Sequence, residues 1–412
     1  MRYLFVHQNF PGQFLYLLRH LVRQPGNEIV FITEENANTI GGVRKVTYKP
    51  PPFGHPTTFV DAVDFEAAAI RAATVAGLAQ TLKRLGFQPD IIIGHHGWGE
   101  MLNVADVWPK VPLLGYYEFF YHTHGLDVGF DPEFTMPPDG HARVRAKNAV
   151  NLLALNNPGW GQTPTRFQHS TYPGWARERI TLLPEGVNLA GCAPDPASRG
   201  QPFALNGFAV QPGEKLVTYV ARDLEPYRGF HVIMRALPRL LRARPDLKVI
   251  LVGGDGVSYG ARLVNTTWRE LLLRQVGPAI DPNRVLVPGK VEYGAFIRLL
   301  QRSDAHVYLT YPFVASWSLR EALACGCAIV ASDTAPVHEF VEDGVTGVLT
   351  PCLDPALLAE RVLALLEDVK RAEALRTEAR AFAERTLRMD AYLRAYLALI
   401  DRVMQGGPVQ PR

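Results

Sequence analysis

Two arginines, Arg222 and Arg228, stand in the stretch VTYVARDLEPYRGF, between a strand-like run ending near Ala221 and a helical run beginning at Gly229. A guanidinium grips phosphate oxygens through paired N–H donors, and a helix start adds unpaired backbone N–H groups and positive dipole. That pattern suits a diphosphate; two solvated arginines are the plainer alternative. Further on, YPFVASWSLREALACGCAIVASD holds one acid, Glu321, in the first turns of a helix that Ser316 or Ser318 would cap. A carboxylate there can accept both vicinal hydroxyls of a ribose. The alternative is an ion pair with the adjacent Arg320. Eight positions earlier, where a second acid could sit, is Phe313, which accepts no hydrogen bond.

Glycines follow two strand-like runs: Gly12 in VHQNFPGQF, and Gly253, Gly254 and Gly256 in VILVGGDGVSYG. Glycine lets backbone approach a ligand closely, or simply turns tightly. In the first half, GHHGWGE carries His95, His96, Trp98 and Glu100, and GYYEFFYHTHG carries Glu118, His122 and His124. Both follow strands, so these groups are expected at strand ends. Trp98 would stack on a sugar ring or fill the core.

The elements that must position these groups alternate between short aliphatic strands and helical segments, the pattern of a parallel sheet. Strands are expected at 3–7, 28–33, 43–48, 90–96, 112–118, 151–157 and 179–187, with helices at 13–24 and 65–86. Residues 188–207, rich in Pro, Gly and small side chains, read as a linker. The pattern restarts with strands at 215–221, 248–254, 284–289, 305–312, 328–333 and 346–351. Helices are expected at 229–245, 268–277, 292–303 and 316–326. Helices follow at about 354–368, 370–386 and 390–404. The expected architecture is α/β, two Rossmann-like domains, 1–190 and 205–388, facing across a cleft where the carboxyl ends of both sheets meet. The final helix, 390–404, is expected to pack back on the first domain.

Composition narrows the partners. The chain has 412 residues and a formal net charge of +3, too mild for nucleic-acid binding, and lacks basic runs. Cys192, Cys325, Cys327 and Cys352 form no CxxC pair, and the histidines show no metal-ligand spacing; reduced thiols and no metal are expected. No apolar run approaches the roughly 18 residues of a membrane span, and MRYLFVHQNFPG reads as a first strand rather than a leader. The expected location is cytoplasmic, with peripheral association at the inner face of a membrane left open.

The stretch SLREALACGCAIVASDTAPVHEFVEDGVTGVLTP resembles the signature of family-4-type (group 1) retaining nucleotide-sugar glycosyltransferases of the GT-B fold. That signature reads E-x7-E-A-x-A-x-G, then a glycine-rich segment; Glu321, Ala322, Ala324 and Gly326 match, followed by Glu339, Gly344 and Gly347. ARDLEPYRGF resembles the family's G-R-x5-K-G, with Arg228 for the usual Lys, and LLPEGVN resembles its N-G-V-D. The resemblance implies sugar transfer from a nucleotide-diphosphate sugar, UDP- or GDP-linked for example, with retention of configuration. No separate cofactor and no metal are needed. Arg222 and Arg228 would hold the pyrophosphate, Glu321 the ribose, and Lys290 and Val291 would lie beside the base, with Gly253 nearby. Gly12 would let the first domain close on the donor. His95, Trp98, Glu118 and His124 would face a glycan or lipid-linked acceptor, with Glu118 and His122 nearest the chemistry. Phe313 departs from the family's first Glu, which contacts the transferred sugar. Either the backbone N–H groups of Val314, Ala315 and Ser316 hold that sugar beside an aromatic wall, or the protein only binds. A GT-B nucleotide-sugar epimerase is the further alternative.

Overall fold

The computed structural model describes residues 1–52, 57–136 and 140–406. The first half contains β1 (Arg2–Val6), α1 (Leu15–Leu21), β2 (Glu28–Glu34), β3 (Val43–Tyr48), α2 (Val63–Arg84), β4 (Ile91–His95), α3 (Val104–Val107) and β5 (Leu113–Tyr116). It continues with α4 (Gly140–Asn156), β6 (Trp160–Thr163), α5 (Arg166–Thr171), α6 (Gly174–Arg177) and β7 (Ile180–Leu182). The seven strands pair in parallel, in the order β3-β2-β1-β4-β5-β6-β7. Helices cover both faces of such a sheet, so its central strands are near-continuous apolar runs; Leu4, Phe5, Val6, Val30, Phe31, Ile32, Ile91, Ile92 and Ile93 are all buried. The order reverses between β1 and β4, which makes their carboxyl ends the place for a ligand in this sheet.

The second half begins with β8 (Phe203–Leu205) and β9 (Phe208–Val210), an antiparallel hairpin. Asn206 and Gly207, at φ 49° and 81°, make its turn. Then come β10 (Lys215–Asp223), α7 (Phe230–Ala243), β11 (Leu247–Gly254), α8 (Trp268–Val276), β12 (Val285–Gly289), α9 (Tyr293–Arg302) and β13 (Ala305–Tyr308). α10 (Trp317–Ala324), β14 (Ile329–Ser332), α11 (Ala335–His338), β15 (Val348–Thr350), α12 (Pro355–Glu367), α13 (Val369–Thr386) and α14 (Met389–Met404) complete it. The six-stranded parallel sheet runs β12-β11-β10-β13-β14-β15, reversing between β10 and β13. The chain thus forms two units, Met1–Glu185 with the chain from Asp390 onward, and Gly186–Met389. In the first unit α14 buries Tyr392, Tyr396, Leu399, Ile400 and Val403. No helix among the described residues is long and apolar enough to cross a membrane.

Two sequence expectations give way here. Residues 151–157, expected as a strand, lie almost wholly in α4. Val144, Asn148, Asn151 and Leu155 are buried at helical spacing while Leu152 and Leu153 are exposed. The two asparagines hide the period because they look polar. In fact Asn151 Nδ2 donates to the Phe119 carbonyl (3.0 Å) and Asn148 Nδ2 to that of Tyr121 (2.7 Å). The strand that pairs with β5 is instead β6, WGQT, which carries no β-branched run. Second, residues 188–207 are not a free linker. Cys192 is fully buried in the second unit's core, and Arg380 Nη1 donates to the carbonyls of Cys192 (2.9 Å) and Ala324 (2.7 Å).

Candidate functional sites of the two units

In the second unit the candidate groups gather at the carboxyl edge of the sheet. β10 ends in Arg222 and Asp223, and the turn after it carries Glu225 and Arg228. Arg222 is exposed, with no hydrogen bond or ion pair among the described residues. Arg228 is only 6% exposed. Its Nη1 donates to Thr310 Oγ1 (2.8 Å) and to the Val314 carbonyl (2.8 Å), both beyond the end of β13. The guanidinium carbon sits 5.1 Å from the Tyr259 ring centre. The sheet's reversal point is therefore bridged by a cation whose Nε and Nη2 take no hydrogen-bond partner among the described residues. The expected free N–H groups at the helix start are partly absent. Those of Arg228, Gly229 and Phe230 turn back to the carbonyls of Glu225 and Pro226. Gly229 is obligatory for another reason: at φ 66° a Cβ would meet Leu309 Cβ at 2.4 Å.

Glu225 and its role were not legible in the sequence. It is fully buried, and its carboxylate accepts the N–H groups of Ser258 (3.0 Å), Tyr259 (3.3 Å) and Gly260 (2.9 Å). Burial raises its pKa, and those three amides oppose the rise. The clamp fixes the loop that brings Tyr259 to Arg228. Beside it, Asp223 accepts the Ser258 hydroxyl (2.5 Å) and lies 3.6 Å from Lys290 Nζ, an exposed cation just past β12. Val291 packs against the core, and Gly253 has a structural cause: a Cβ there would meet Leu224 at 2.6 Å.

Phe313 is 2% exposed. Its ring packs against Tyr259 (centroids 4.7 Å) and edge-on to Tyr227 (5.9 Å). The expected aromatic wall is thus a buried ring within an aromatic cluster. Ser316 is also corrected. Its N–H is taken by the Tyr308 hydroxyl oxygen (2.8 Å), so of the three expected amides only those of Val314 and Ala315 stay unengaged among the described residues.

Glu321 lies on α10 and accepts the Tyr293 hydroxyl at 2.8 Å. The expected alternative, a pair with Arg320, is not formed: Arg320 is buried with its guanidinium 5.0 Å from the Phe340 ring centre. Burial pushes the Glu321 carboxyl up to about 7, against the Tyr293 hydrogen bond and the Arg320 charge. Near neutrality it is poised between acceptor and donor.

In the first unit the reversal point holds imidazoles. His7, just past β1, and His95, closing β4, lie with ring centroids 4.8 Å apart. Each accepts on Nδ1 the amide two residues on, from Asn9 (2.8 Å) and Gly97 (3.0 Å). A neutral ring so bonded carries its proton on Nε2. That of His7 then donates to Gln13 Oε1 (2.7 Å), and that of His95 faces Glu118 Oε2 at 3.5 Å. Trp98 is half-buried and stacks on His95 at 6.3 Å. His7 was missed by sequence reading, although Gly12 pointed to it: Gly12 is at φ 54°, and a Cβ would come within 2.9 Å of the His7 ring. His96 is buried and pushed down to about 3 by desolvation, so it stays neutral. His122 is a tether whose Nε2 donates to the Thr171 carbonyl at 2.7 Å, which removes that nitrogen as a free base. His124 is exposed and meets only the His141 ring, edge-on at 4.6 Å, among the contacts described.

Residues 25–191 match the family model of the glycosyl transferase family 4 group, and residues 204–382 that of glycosyl transferases group 1. A GDP-mannose-dependent alpha-(1-6)-phosphatidylinositol monomannoside mannosyltransferase of Mycolicibacterium smegmatis is 26% identical over 74% of this chain and 75% of its own length. A phosphatidyl-myo-inositol mannosyltransferase of Mycobacterium leprae is 30% identical over 45% of this chain, a match spanning 44% of that relative. Anabaena HepE, solved in complex with UDP-glucose, superposes with a TM-score of 0.69 at 17% identity, over 97% of this chain and 99% of its own.

Proposed function

Because the chain belongs to the group 1 glycosyltransferases of the GT-B fold, we propose that it moves a sugar from a nucleotide-diphosphate sugar to a glycan, lipid-linked or small-molecule acceptor with retention of configuration. The observation that carries the donor side is Arg228, bridging the reversal point of the second sheet with two nitrogens unspent. Arg222 adds a second, unpartnered cation at the same strand end, and Glu321 supplies the carboxylate for the pentose. Lys290 and Val291 flank the base, and the free amides of Val314 and Ala315 meet the transferred sugar. A retaining transfer in which the departing phosphate takes the acceptor's proton asks no protein base of this edge, and no divalent cation is required.

The first unit takes the acceptor. Trp98 and Glu118, half-buried, offer a ring face and a carboxylate of the kind that bind polyhydroxylated rings, and the buried His95 and His7 rings stand behind them. The named mannosyltransferase relatives act with GDP-mannose or on phosphatidylinositol lipids, and HepE holds UDP-glucose, so a lipid-linked acceptor and a peripheral place at a membrane's cytoplasmic face fit the proposal. The test is calorimetric titration of UDP and GDP into wild type and Arg222→Ala. Arg222 is exposed and unpartnered, so its removal should leave Tm unchanged and weaken nucleotide roughly tenfold. Equal affinity in both proteins would end the donor assignment. Turnover unchanged by EDTA is the companion expectation.

A further inference from the structure

Tyr293 opens α9 three residues past Lys290, and half of its surface is exposed, yet its hydroxyl is fixed. The phenol has one hydrogen, and it points to Glu321 Oε1 at 2.8 Å. Cys192 Sγ lies 3.3 Å from the same phenol oxygen and, with the phenol hydrogen turned to Glu321, its thiol donates there. Its segment is pinned in turn: the Cys192 N–H donates to the Asn188 carbonyl (2.8 Å), and Arg380 ties the carbonyl of Cys192 to that of Ala324 on the helix bearing Glu321. The ring rests 5.9 Å from Phe296 on its own helix. A thiol, a phenol and a carboxylate from three separate segments thus form one directed chain ending at the acid.

We propose that Tyr293 is a positioning residue of the pentose site: its hydroxyl holds Oε1 of Glu321 in one orientation, so that Oε2 and the remaining Oε1 lone pair receive the two ribose hydroxyls. This rests on the reading that Glu321 takes the pentose. The titratable and charged groups around Glu321 are few. α9 contributes the Tyr293 phenol and the preceding segment the Cys192 thiol. α13 contributes Arg380, which pairs with Glu384, α10 contributes Arg320, and Cys325 follows directly on α10. None forms an ion pair with the acid. The phenol stays neutral because burial and the Glu321 charge both raise its pKa, so it remains a donor throughout the working pH range.

The experiment titrates UDP, GDP and ADP, with inorganic pyrophosphate as the probe lacking a pentose, into full-length wild type, Tyr293→Phe and Glu321→Gln between pH 6 and 9. Tyr293→Phe should keep its fold, lose roughly tenfold in affinity for the best nucleoside diphosphate at pH 7.5, and bind pyrophosphate as wild type does. Without the phenol the acid's titration moves higher, so the loss should shrink toward pH 9. A purely structural role would weaken both probes alike at every pH, and that outcome overturns the proposal. Tyr293→Phe binding like wild type while Glu321→Gln fails overturns the positioning role alone. Wild type and Glu321→Gln binding alike overturns the pentose reading and this inference with it.

Discussion

The two sheets reverse strand order in the same way, yet their reversal points carry opposite chemistry. Between β1 and β4 stand two imidazoles, His7 and His95, each locked by the amide two residues on, with an indole and an acid beside them. Between β10 and β13 stands one buried guanidinium, with a second exposed nearby. Topology supplies the place, and the first residues beyond each strand decide the ligand. Imidazoles and aromatic rings suit neutral polyols, whose hydroxyls both give and accept. A fixed guanidinium suits a polyanion, to which it can only give.

The comparison can be broken most sharply at Phe313. If the aromatic cluster is a packed core, Phe313→Glu should bury a carboxylate among rings and cost about 3 kcal/mol or more of stability, read by thermal or urea unfolding. A stable variant with new transferase activity would instead show that the position faces the sugar. Next, His95→Gln should separate the roles proposed for the two units. UDP or GDP affinity, measured calorimetrically, should stay within about twofold of wild type, whereas kcat/KM for acceptor should fall about a hundredfold. A parallel loss of nucleotide affinity would erase the distinction drawn above.

The smallest expected effect concerns Glu321. Its folded pKa is raised from 4.5 to about 7, so the folded protein retains a proton that the unfolded chain releases. Stability from this group is therefore greatest below pH 4.5 and falls as pH rises to about 7. Glu321→Gln removes that decline, so at pH 8 the variant should be more stable than wild type by about 1–2 kcal/mol, and the gain should shrink to about a quarter of that near pH 5. Urea unfolding at the two pH values measures it. A gain of equal size at both would mean that packing, not titration, is responsible.

The strands and most helices were legible because buried parallel strands are aliphatic runs and their helices keep apolar periodicity. α4 was not, since its buried asparagines earn their burial from carbonyls of a distant segment, 119–121, that no local window contains. The hairpin β8–β9 was legible in principle: the Asn206-Gly207 pair is a strong turn signal, and it was passed over inside a stretch read as linker. The site divides similarly. Arg222, Arg228 and Glu321 stood out by type and motif. Glu225, Tyr293 and His7 did not, because each acts through a partner that only folding brings near. Glu225 clamps amides 33 to 35 positions on, and Tyr293 meets an acid 28 positions away. His122 and Ser316 looked available for the complementary reason, that their partners were invisible.

The inward contacts of Arg228 have a consequence for recognition. A free arginine side chain must freeze several torsions when it captures an anion, at an entropic cost of up to about 2 kcal/mol. Here Thr310 and the Val314 carbonyl impose that order during folding, so under the proposed function an arriving diphosphate would meet a preorganised cation. Substitution of Thr310 would loosen the guanidinium and return the freezing cost to each encounter, without touching any atom of the incoming molecule.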